Sequence, residues 1–489
     1  MTRKKNIVLI LTDQLRADIL SCYGGAICQT PALDKLASES VVFDRAYTPL
    51  AVCSPARASL MTGQYPHNHG VASNGDAMFH GTLQDSPRLL SRRLEAVGYD
   101  RWYNGKWHLG GRNPAHVPET LGFPGTQLPG HGAGGYRFAE YKQYLKDRGL
   151  KFEYADGPHR FGGHDYGTLQ GPEEVEVSAF LADDAISFLD RQQHKPQDSQ
   201  SPFFLWVNIW GPHAPYFATQ EYLDIYKDVE IPPWPNFHDT GENKPVVHQT
   251  KIPPEAREAG WAFWEPAVRH YFAFMTMIDR QIGRILDKID DAGLREDTMV
   301  IFAADHGESI GAHGCQDKGH FMYEETYRVP LMIRDSQILP RRENALVSLV
   351  DLCPTMLEIA GDPSPEEERD GRSMVSLLRG DEPEWRKSLA AEFHGIVTPF
   401  TQRMIVDDRY KYVWNLGDLD ECYDLEADPH ELCNLISDPR SSSLLYRLQL
   451  ELLEWMRQTK DPALDYYLRH LAHSNPQFPI EKSFPAIYY

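Results

Sequence analysis

The chain has 489 residues and a formal net charge of −21, from 49 basic and 70 acidic side chains. A surface with this charge repels nucleic acid and anionic membranes, which argues against both as partners. Seven cysteines, an odd number in so large a chain, argue against a disulfide framework. No apolar run is long enough to span a bilayer. The basic start leads into a short apolar stretch that predicts a strand rather than a secretion signal, so we expect a cytoplasmic protein.

Aliphatic strands alternate with amphipathic helices along the first 380 residues. In chain order, the pattern predicts strands at Ile7–Leu11, Tyr99–Tyr103, Phe203–Ile209 and Met299–Ala304, and helices at Arg88–Val97, Glu173–Arg191 and Glu265–Ala292. This alternation is typical of an α/β fold. We therefore expect residues 1–380 to form one domain with a large mixed, mainly parallel sheet between helices.

The character of the chain changes after about residue 381. Short alternating segments at Arg403–Val406 and Tyr410–Trp414 precede a helix predicted near Leu444–Gln458. Residues 381–489 are thus interpreted as a smaller C-terminal α+β subdomain with a small antiparallel sheet, a helix and a tail. The tail is rich in Tyr, Phe and Pro, which favours packing on its own domain, with an oligomer contact as the alternative.

Two long segments interrupt the α/β pattern. Residues 122–171 are rich in Gly, Tyr and His, and residues 231–265 are rich in Pro and Trp. Segments of this length between elements are usually functional or unstructured, and we expect these two to build a substrate pocket. The aromatic residues at 134–136 and 261–264 are candidates for stacking on a sugar or an aryl ring.

A five-residue segment, Cys53-Ser54-Pro55-Ala56-Arg57, carries the strongest chemical signal. It precedes a short helical run, 58–62, for which Ser54 is the predicted N-cap. Cys53 would then lie at the positive end of a helix, where an anion is favoured. Arg57 adds a planar cation suited to oxyanions. Alone, a cysteine at this position is as well explained as a small buried apolar side chain.

Acidic residues follow two of the predicted strands. Asp13 and Gln14 follow the first strand, and Asp305 and His306 follow the strand 299–304. Ligands of open α/β sheets bind at the carboxyl ends of strands, and two converging carboxylates favour a divalent cation between them. Oxygen ligands suit Ca²⁺ or Mg²⁺, whereas the imidazole of His306 suits Mn²⁺ or Zn²⁺.

Basic residues follow the other predicted strands. Lys106 and His108, two positions apart, would face one way if the segment is extended. His213 follows the strand 203–209 between two prolines that stiffen its loop. Lys318 and His320 lie a little beyond the acidic pair and are expected near the same metal. Together these residues predict a site for an oxyanion ester.

With these motifs in place, the chain resembles a type I sulfatase of the alkaline phosphatase superfamily. The Cys-x-Pro-x-Arg pattern at 53–57 is similar to the sulfatase signature. The similarity extends over most of the first 435 residues, through segments 22–25, 30–37, 98–108, 305–307 and 423–431.

The resemblance implies a role for each candidate residue. Cys53 would be converted to formylglycine by a formylglycine-generating enzyme, and its hydrated aldehyde would be the nucleophile. The residues implied to bind the divalent metal, expected to be Ca²⁺ with Mn²⁺ or Mg²⁺ as alternatives, are Asp13, Gln14, Asp305, His306 and the modified Cys53. Arg57 would hold a diol hydroxyl, and Lys106 and Lys318 would bind the sulfate oxygens. His213 would protonate the leaving alcohol, and His108 would take the proton from the second hydroxyl.

Three functions follow from the sequence in order of preference. The first is hydrolysis of an aryl or carbohydrate sulfate ester to alcohol and sulfate. The second is a phosphonate monoester or phosphodiester hydrolase on the same scaffold, which Gln14 in place of the commoner Asp would suit. The third is a non-catalytic protein that binds sulfated ligands. The identity of the ester and the oligomeric state are open, and a homo-oligomer is possible.

Overall fold

The computed structural model describes residues 4–75, 81–131, 134–196, 201–363, 369–381, 383–396 and 398–474. The strands in these ranges are β1 (Asn6–Asp13), β2 (Val41–Phe43), β3 (Ala46–Tyr47), β4 (Asp100–Gly105), β5 (Tyr154–Phe161), β6 (His164–Leu169), β7 (Phe203–Pro212), β8 (Tyr216–Thr219), β9 (Thr298–Ala304), β10 (Leu331–Arg334), β11 (Arg341–Glu343), β12 (Val347–Ser348), β13 (Leu389–Gly395), β14 (Pro399–Val406), β15 (Tyr410–Asn415) and β16 (Glu421–Asp424).

The α-helices lie between the strands of the large domain, and two of them follow the C-terminal sheet. They are α1 (Pro31–Ser38), α2 (Cys53–Thr62), α3 (Pro66–His69), α4 (Leu90–Ala96), α5 (Ala139–Asp147), α6 (Val177–Gln193), α7 (Gln220–Tyr226), α8 (Pro254–Ala259), α9 (Trp261–Asp291), α10 (Glu324–Tyr327), α11 (Leu352–Ile359), α12 (Val375–Arg379), α13 (Ser442–Gln458) and α14 (Leu464–Ser474). None of the described helices has the length and apolar character needed to cross a bilayer.

A sheet of seven described strands forms the centre of the molecule, in the order β11-β2-β10-β9-β1-β7-β4. The pairs β1/β7, β1/β9, β4/β7 and β2/β11 are parallel, and β10 runs antiparallel to both of its neighbours. Every residue of β1, β7 and β9 is buried, as expected for strands of a mainly parallel sheet that is covered on both faces. The predicted mixed, mainly parallel sheet between helices is confirmed.

The longest helix, α9, covers one face of this sheet. Its buried stripe includes Phe274, Ile278, Ile282 and Ile285, at the spacing of one helical face, and it packs on α6 and β7. Pro266 is the sixth residue of α9, inside the helix, so it removes one of the helix's backbone hydrogen bonds. Helices α2, α4 and α11 pack together, and α4 contacts β4.

The C-terminal segment forms a separate antiparallel sheet in the order β13-β14-β15-β16. Helices α13 and α14 pack on it around their own apolar cluster, which includes Trp414 and Tyr467. The predicted small sheet and helix are thus present, whereas the boundary at residue 380 stays a prediction. The tail from 475 to 489, and most of the predicted linker 361–369, lie outside the described residues.

The two long segments contain regular structure rather than open loop. Strands β5 and β6 form a hairpin that extends into a three-stranded sheet with β8, and α5 and α8 lie in the same segments. Two of their candidate stacking residues are buried. Tyr136 donates its hydroxyl hydrogen to Glu176 at 3.0 Å, and Trp264 is fully buried. Trp261 and Phe263 are only partly buried, so stacking of these segments on a substrate stays a prediction.

Candidate active site

Four adjacent strands of the central sheet end at the same edge of the sheet, and predicted site residues lie at or just after these ends. In the order β9, β1, β7 and β4, the strands end at Ala304, Asp13, Pro212 and Gly105. The residues that follow at once are the pair 305–306, Gln14, His213 and Lys106. Because neighbouring parallel strands end at the same edge, sequence positions about 300 residues apart meet in space. This topology explains why residues so scattered along the chain form one site.

Cys53 lies opposite that edge, at the first turn of α2. The helix begins at Cys53 itself, its N-cap is Val52, and Gly63 ends it with a φ of 70°. Ser54 is therefore not the N-cap, and the predicted helical run 58–62 begins five residues too late. Instead the Ser54 hydroxyl donates to the His108 carbonyl, and the Ser54 N–H donates to the Asn74 side chain at 3.0 Å. These contacts fix the turn that presents the thiol.

The two carboxylates are held by a single buried arginine. Arg57 donates from Nε to Asp305 Oδ2 at 3.0 Å and from Nη2 to Asp13 Oδ2 at 3.3 Å. Its Nη1 donates to Asn208 Oδ1 at 2.9 Å and to the Lys106 carbonyl at 3.1 Å. Arg57 thus ties together the ends of β1, β7, β9 and β4. Asn208 was missed in the sequence because an asparagine inside a buried strand has no motif around it.

Four ligand atoms, from Asp13, Asp305, His306 and Cys53, lie within 4.8 Å of one another in the described structure. Cys53 Sγ is 3.2 Å from His306 Nε2 and 3.7 Å from Asp13 Oδ1. His306 Nδ1 donates to the Gly307 carbonyl at 2.9 Å, which leaves Nε2 as the atom facing the carboxylates. Burial and the adjacent Asp13 charge raise the pKa of Asp305. A divalent cation would relieve that repulsion, so the residues fit a metal site.

Gln14 joins the acidic pair to Lys318. Its N–H donates to Asp305 Oδ1 at 3.1 Å, and its φ of 61° turns the side chain away from the strand. Its Oε1 accepts from Lys318 Nζ at 2.6 Å, and its Nε2 donates to Asp317 Oδ1 at 2.9 Å and to Glu308. The amide therefore holds Lys318 in place, and the predicted metal-ligand role of Gln14 stays a prediction.

Positive groups surround the thiol of Cys53. Although burial opposes ionisation, Lys106, Lys318 and His306 hold the pKa of Cys53 well below its ordinary value. Lys106 is fully buried, and its ammonium group donates a hydrogen bond to the Asp13 carboxylate. The environment is built for an anion, which is what an oxyanion ester brings to this position.

Of the predicted histidines, His108 borders the thiol and His213 borders Lys318. The ring of His108 interacts with Cys53, although the backbone of His108 has a φ of 57° and is not extended as expected. His213 Nδ1 donates to the Ala214 carbonyl at 2.6 Å, so His213 Nε2 faces Lys318 Nζ, at 3.0 Å. His320 is not part of this group. Its Nε2 contacts Thr398 Oγ1 at 3.4 Å, and its ring packs on Phe393 and Phe400.

Two further histidines, His131 and His164, line the same pocket and were not singled out in the sequence. The ring centroid of His131 is 4.6 Å from that of His213 and 5.8 Å from that of His108. The ring of His164 lies 6.4 Å from that of His213. Both come from the segment 122–171, which carries no recognised motif. Its richness in histidine was the one signal that pointed to them.

Comparison with known proteins agrees with this geometry. A family model described as Sulfatase matches residues 5–362, and one described as N-sulphoglucosamine sulphohydrolase, C-terminal, matches residues 311–458. An uncharacterized sulfatase of Escherichia coli K12, YidJ, is 31% identical over 95% of this chain and 89% of its own length. Choline-sulfatase of Rhizobium meliloti is 30% identical over 90% of this chain and 84% of its own.

Solved structures give the same match over nearly the whole chain. The phosphonate monoester hydrolase of Agrobacterium radiobacter superimposes with a TM-score of 0.78 at 26% identity, covering 93% of this chain and 96% of that one. The similarity therefore includes the C-terminal sheet as well as the large domain.

Proposed function

The chain belongs to the sulfatase family of the alkaline phosphatase superfamily, and we propose that it is a sulfuric ester hydrolase whose nucleophile derives from Cys53. The observation that carries the proposal is the convergence of Lys106, Lys318 and His306 on Cys53, opposite two carboxylates. Such an arrangement binds an anion at a residue that can be made reactive.

Each part of the site has a task in ester cleavage. Asp13, Asp305 and His306 would hold a divalent cation, which supplies Lewis-acid stabilisation of charge on the sulfate oxygens and on the attacking hydroxyl. Formylglycine at residue 53 would supply that hydroxyl as a hydrated aldehyde. Calcium is the metal that we propose, because oxygen ligands dominate the set.

The basic residues complete the charge balance. Lys106 and Lys318 bind the equatorial oxygens and neutralise their charge, and an ammonium placed in this way typically contributes about 10²–10³-fold to the rate. His213 stands beside Lys318 at 3.0 Å and, when its Nε2 is protonated, delivers that proton to the leaving alcohol oxygen and becomes neutral. His108, next to residue 53, accepts a proton from it. Buried walls keep the site low in dielectric, which strengthens each interaction.

The test is turnover by protein produced together with a formylglycine-generating enzyme. Inorganic sulfate release from aryl sulfate, sugar sulfate and choline sulfate is measured against phenyl phosphonate monoester hydrolysis, with Cys53→Ala as the control. Mass spectrometry of the peptide around residue 53 reports whether the thiol has become an aldehyde. We expect conversion and faster sulfate release. Full conversion with no sulfate released from any ester would overturn the proposal.

A phosphonate monoester hydrolase is the second candidate. Its support is the structural similarity to the Agrobacterium radiobacter enzyme, together with Gln14 beside Asp13. We favour sulfate because Lys106 and His108 both reach Cys53, and two such groups suit an ester with three terminal oxygens. A kcat/KM higher for the phosphonate than for every sulfate ester would reverse this choice. A thiol that stays unconverted beside an active maturase would instead favour a binding protein.

A further inference from the structure

We propose that His131 and His164 form a subsite for hydroxyl groups of the leaving alcohol, so that the substrate is a carbohydrate sulfate. This inference rests on the sulfate ester hydrolysis proposed above and adds the class of ester. Both residues lie beside His213, the group assigned to the leaving oxygen. They therefore lie within reach of the part of the ester that leaves with that oxygen.

The hydrogen bonds of His131 leave one donor for a ligand. Its Nδ1 accepts from the Gly134 N–H at 3.3 Å, so the ring proton is on Nε2. That Nε2 is buried and has no hydrogen-bond partner among the residues that the structure describes. Buried polar groups are nearly always paired, so an unpaired donor inside a site indicates where a ligand oxygen binds. His131 thus offers N–H to an oxygen close to the ester bond.

His164 places a second imidazole beside His213. It begins β6, is half-buried, and its Nε2 lies 3.9 Å from Asp317 Oδ2. Burial lowers the pKa of both His131 and His164, so both rings are neutral near pH 7. A neutral imidazole has one donor and one acceptor, and a hydroxyl group has the same pair. The two rings therefore match a substituent that donates and accepts.

The surroundings favour a hydroxyl group over the other two leaving groups. The flat rings of Tyr136 and Trp264 are buried in the core, whereas the ring atom of His131 that has no partner among the described residues is polar. Asp317, the carboxylate near His164, already pairs with Lys318 at 3.1 Å and with Lys251 at 3.8 Å, so its charge is balanced without a quaternary ammonium.

The experiment compares three substrates on five proteins. The substrates are a pyranoside monosulfate, its analogue deoxygenated at the carbon next to the ester, and an aryl sulfate. The proteins, all with residue 53 converted, are the wild type, His131→Leu, His131→Gln, His164→Leu and His159→Leu. His159 lies on the same hairpin but is exposed and contacts Asp156 and Tyr166, so its variant is the matched control.

We expect the wild type to prefer the hydroxylated sugar sulfate. His131→Leu should lower kcat/KM for that substrate by about 10- to 100-fold and for the other two by less than about threefold. His131→Gln, which keeps an N–H near Nε2, should recover most of the loss. His164→Leu should show a smaller loss with the same selectivity, and His159→Leu should match the wild type.

Three results would overturn the inference while leaving the proposed function intact. They are an equal loss on all three substrates, no loss on any, and a wild type that prefers the aryl sulfate. A wild type that releases sulfate from no ester contradicts the proposed function itself, and the inference with it. Melting temperatures of all five proteins show whether a loss reflects misfolding.

Discussion

Two buried clusters of this protein contain similar residue types but differ in the polar atoms that the described structure leaves unpaired beside them. The first is the active-site cluster, Asp13, Cys53, Asp305 and His306. The second is the hinge cluster, His67, Glu392 and Asp461, between the large domain and the C-terminal sheet. Both have the composition of a metal site. Composition alone therefore does not separate a reactive centre from a structural one.

Hydrogen bonding makes the difference between the two. In the hinge cluster, Asp461 accepts two bonds from Arg403, at 2.5 and 2.9 Å, and Glu392 contacts His67 at 2.9 Å and His394 at 3.0 Å. Every charge there has a partner from the chain. In the active-site cluster the carboxylates also pair, with Arg57 and Lys106, but His108 Nδ1 and His131 Nε2 beside the cluster have no partner among the described residues. Unused hydrogen-bonding capacity indicates ligand binding.

The largest effect is expected for Cys53→Ala. Loss of the nucleophile should lower turnover by about 10⁴-fold or more, while the fold persists because only one buried sulfur is removed. Sulfate release and thermal melting measure the two effects. Cys28→Ala, at another buried cysteine, should keep full turnover. If Cys53→Ala retained even a tenth of the wild-type rate, the nucleophile would be another group.

Glu392→Ala, in the hinge cluster, should lower stability rather than turnover. It leaves Arg403 and His67 buried with less countercharge, which should cost about 3–5 kcal/mol of unfolding free energy. Turnover of the folded protein should stay near the wild-type value. Urea denaturation gives the free energy, and Glu454→Ala on the surface of α13 is the control. A large loss of turnover without loss of stability would place Glu392 in the catalytic machinery.

Lys106→Met should lower kcat by about 10²–10³-fold, because it removes one ammonium from the oxyanion position. The matched control is Lys195→Met, since Lys195 pairs with Asp100 at the opposite end of β4. Circular dichroism should show both proteins folded. Equal kcat in the two variants would mean that Lys106 only balances the charge of Asp13.

The smallest effect is the pH dependence of stability set by the hinge cluster. Glu392 and nearby acids outweigh burial and raise the pKa of His67 to about 9, and the two histidines hold the pKa of Glu392 well below its ordinary value. The stabilisation from His67 is complete below about pH 6.5 and is lost as the pH rises through about 9. The stabilisation from Glu392 is lost at low pH, as acid protonates its carboxylate. The urea midpoint should thus peak near pH 5–6.5. Glu392→Gln should flatten both limbs, and an unchanged profile in that variant would contradict the assignment.

The strands and the residues that follow them could be predicted from the sequence, because continuous aliphatic runs mark buried parallel strands and motifs mark their ends. The start of α2 could not, since Ser54 fits a cap by type but lies inside the helix, which begins one residue earlier at Cys53. His131 and His164 could not be identified from the sequence, because their positions depend on how a long segment folds back over the sheet. Tyr136 and Trp264 were candidates for stacking on a substrate, yet burial of their large apolar surface favours the core.

The most direct test of this account is anomalous scattering from crystals grown with Mn²⁺, which reports a metal position without reference to activity. The account predicts one peak bounded by Asp13, Asp305, His306 and residue 53, and none at His67, Glu392 and Asp461. A peak at the hinge cluster instead, or an active-site cluster that binds no cation at saturating Mn²⁺, would contradict it.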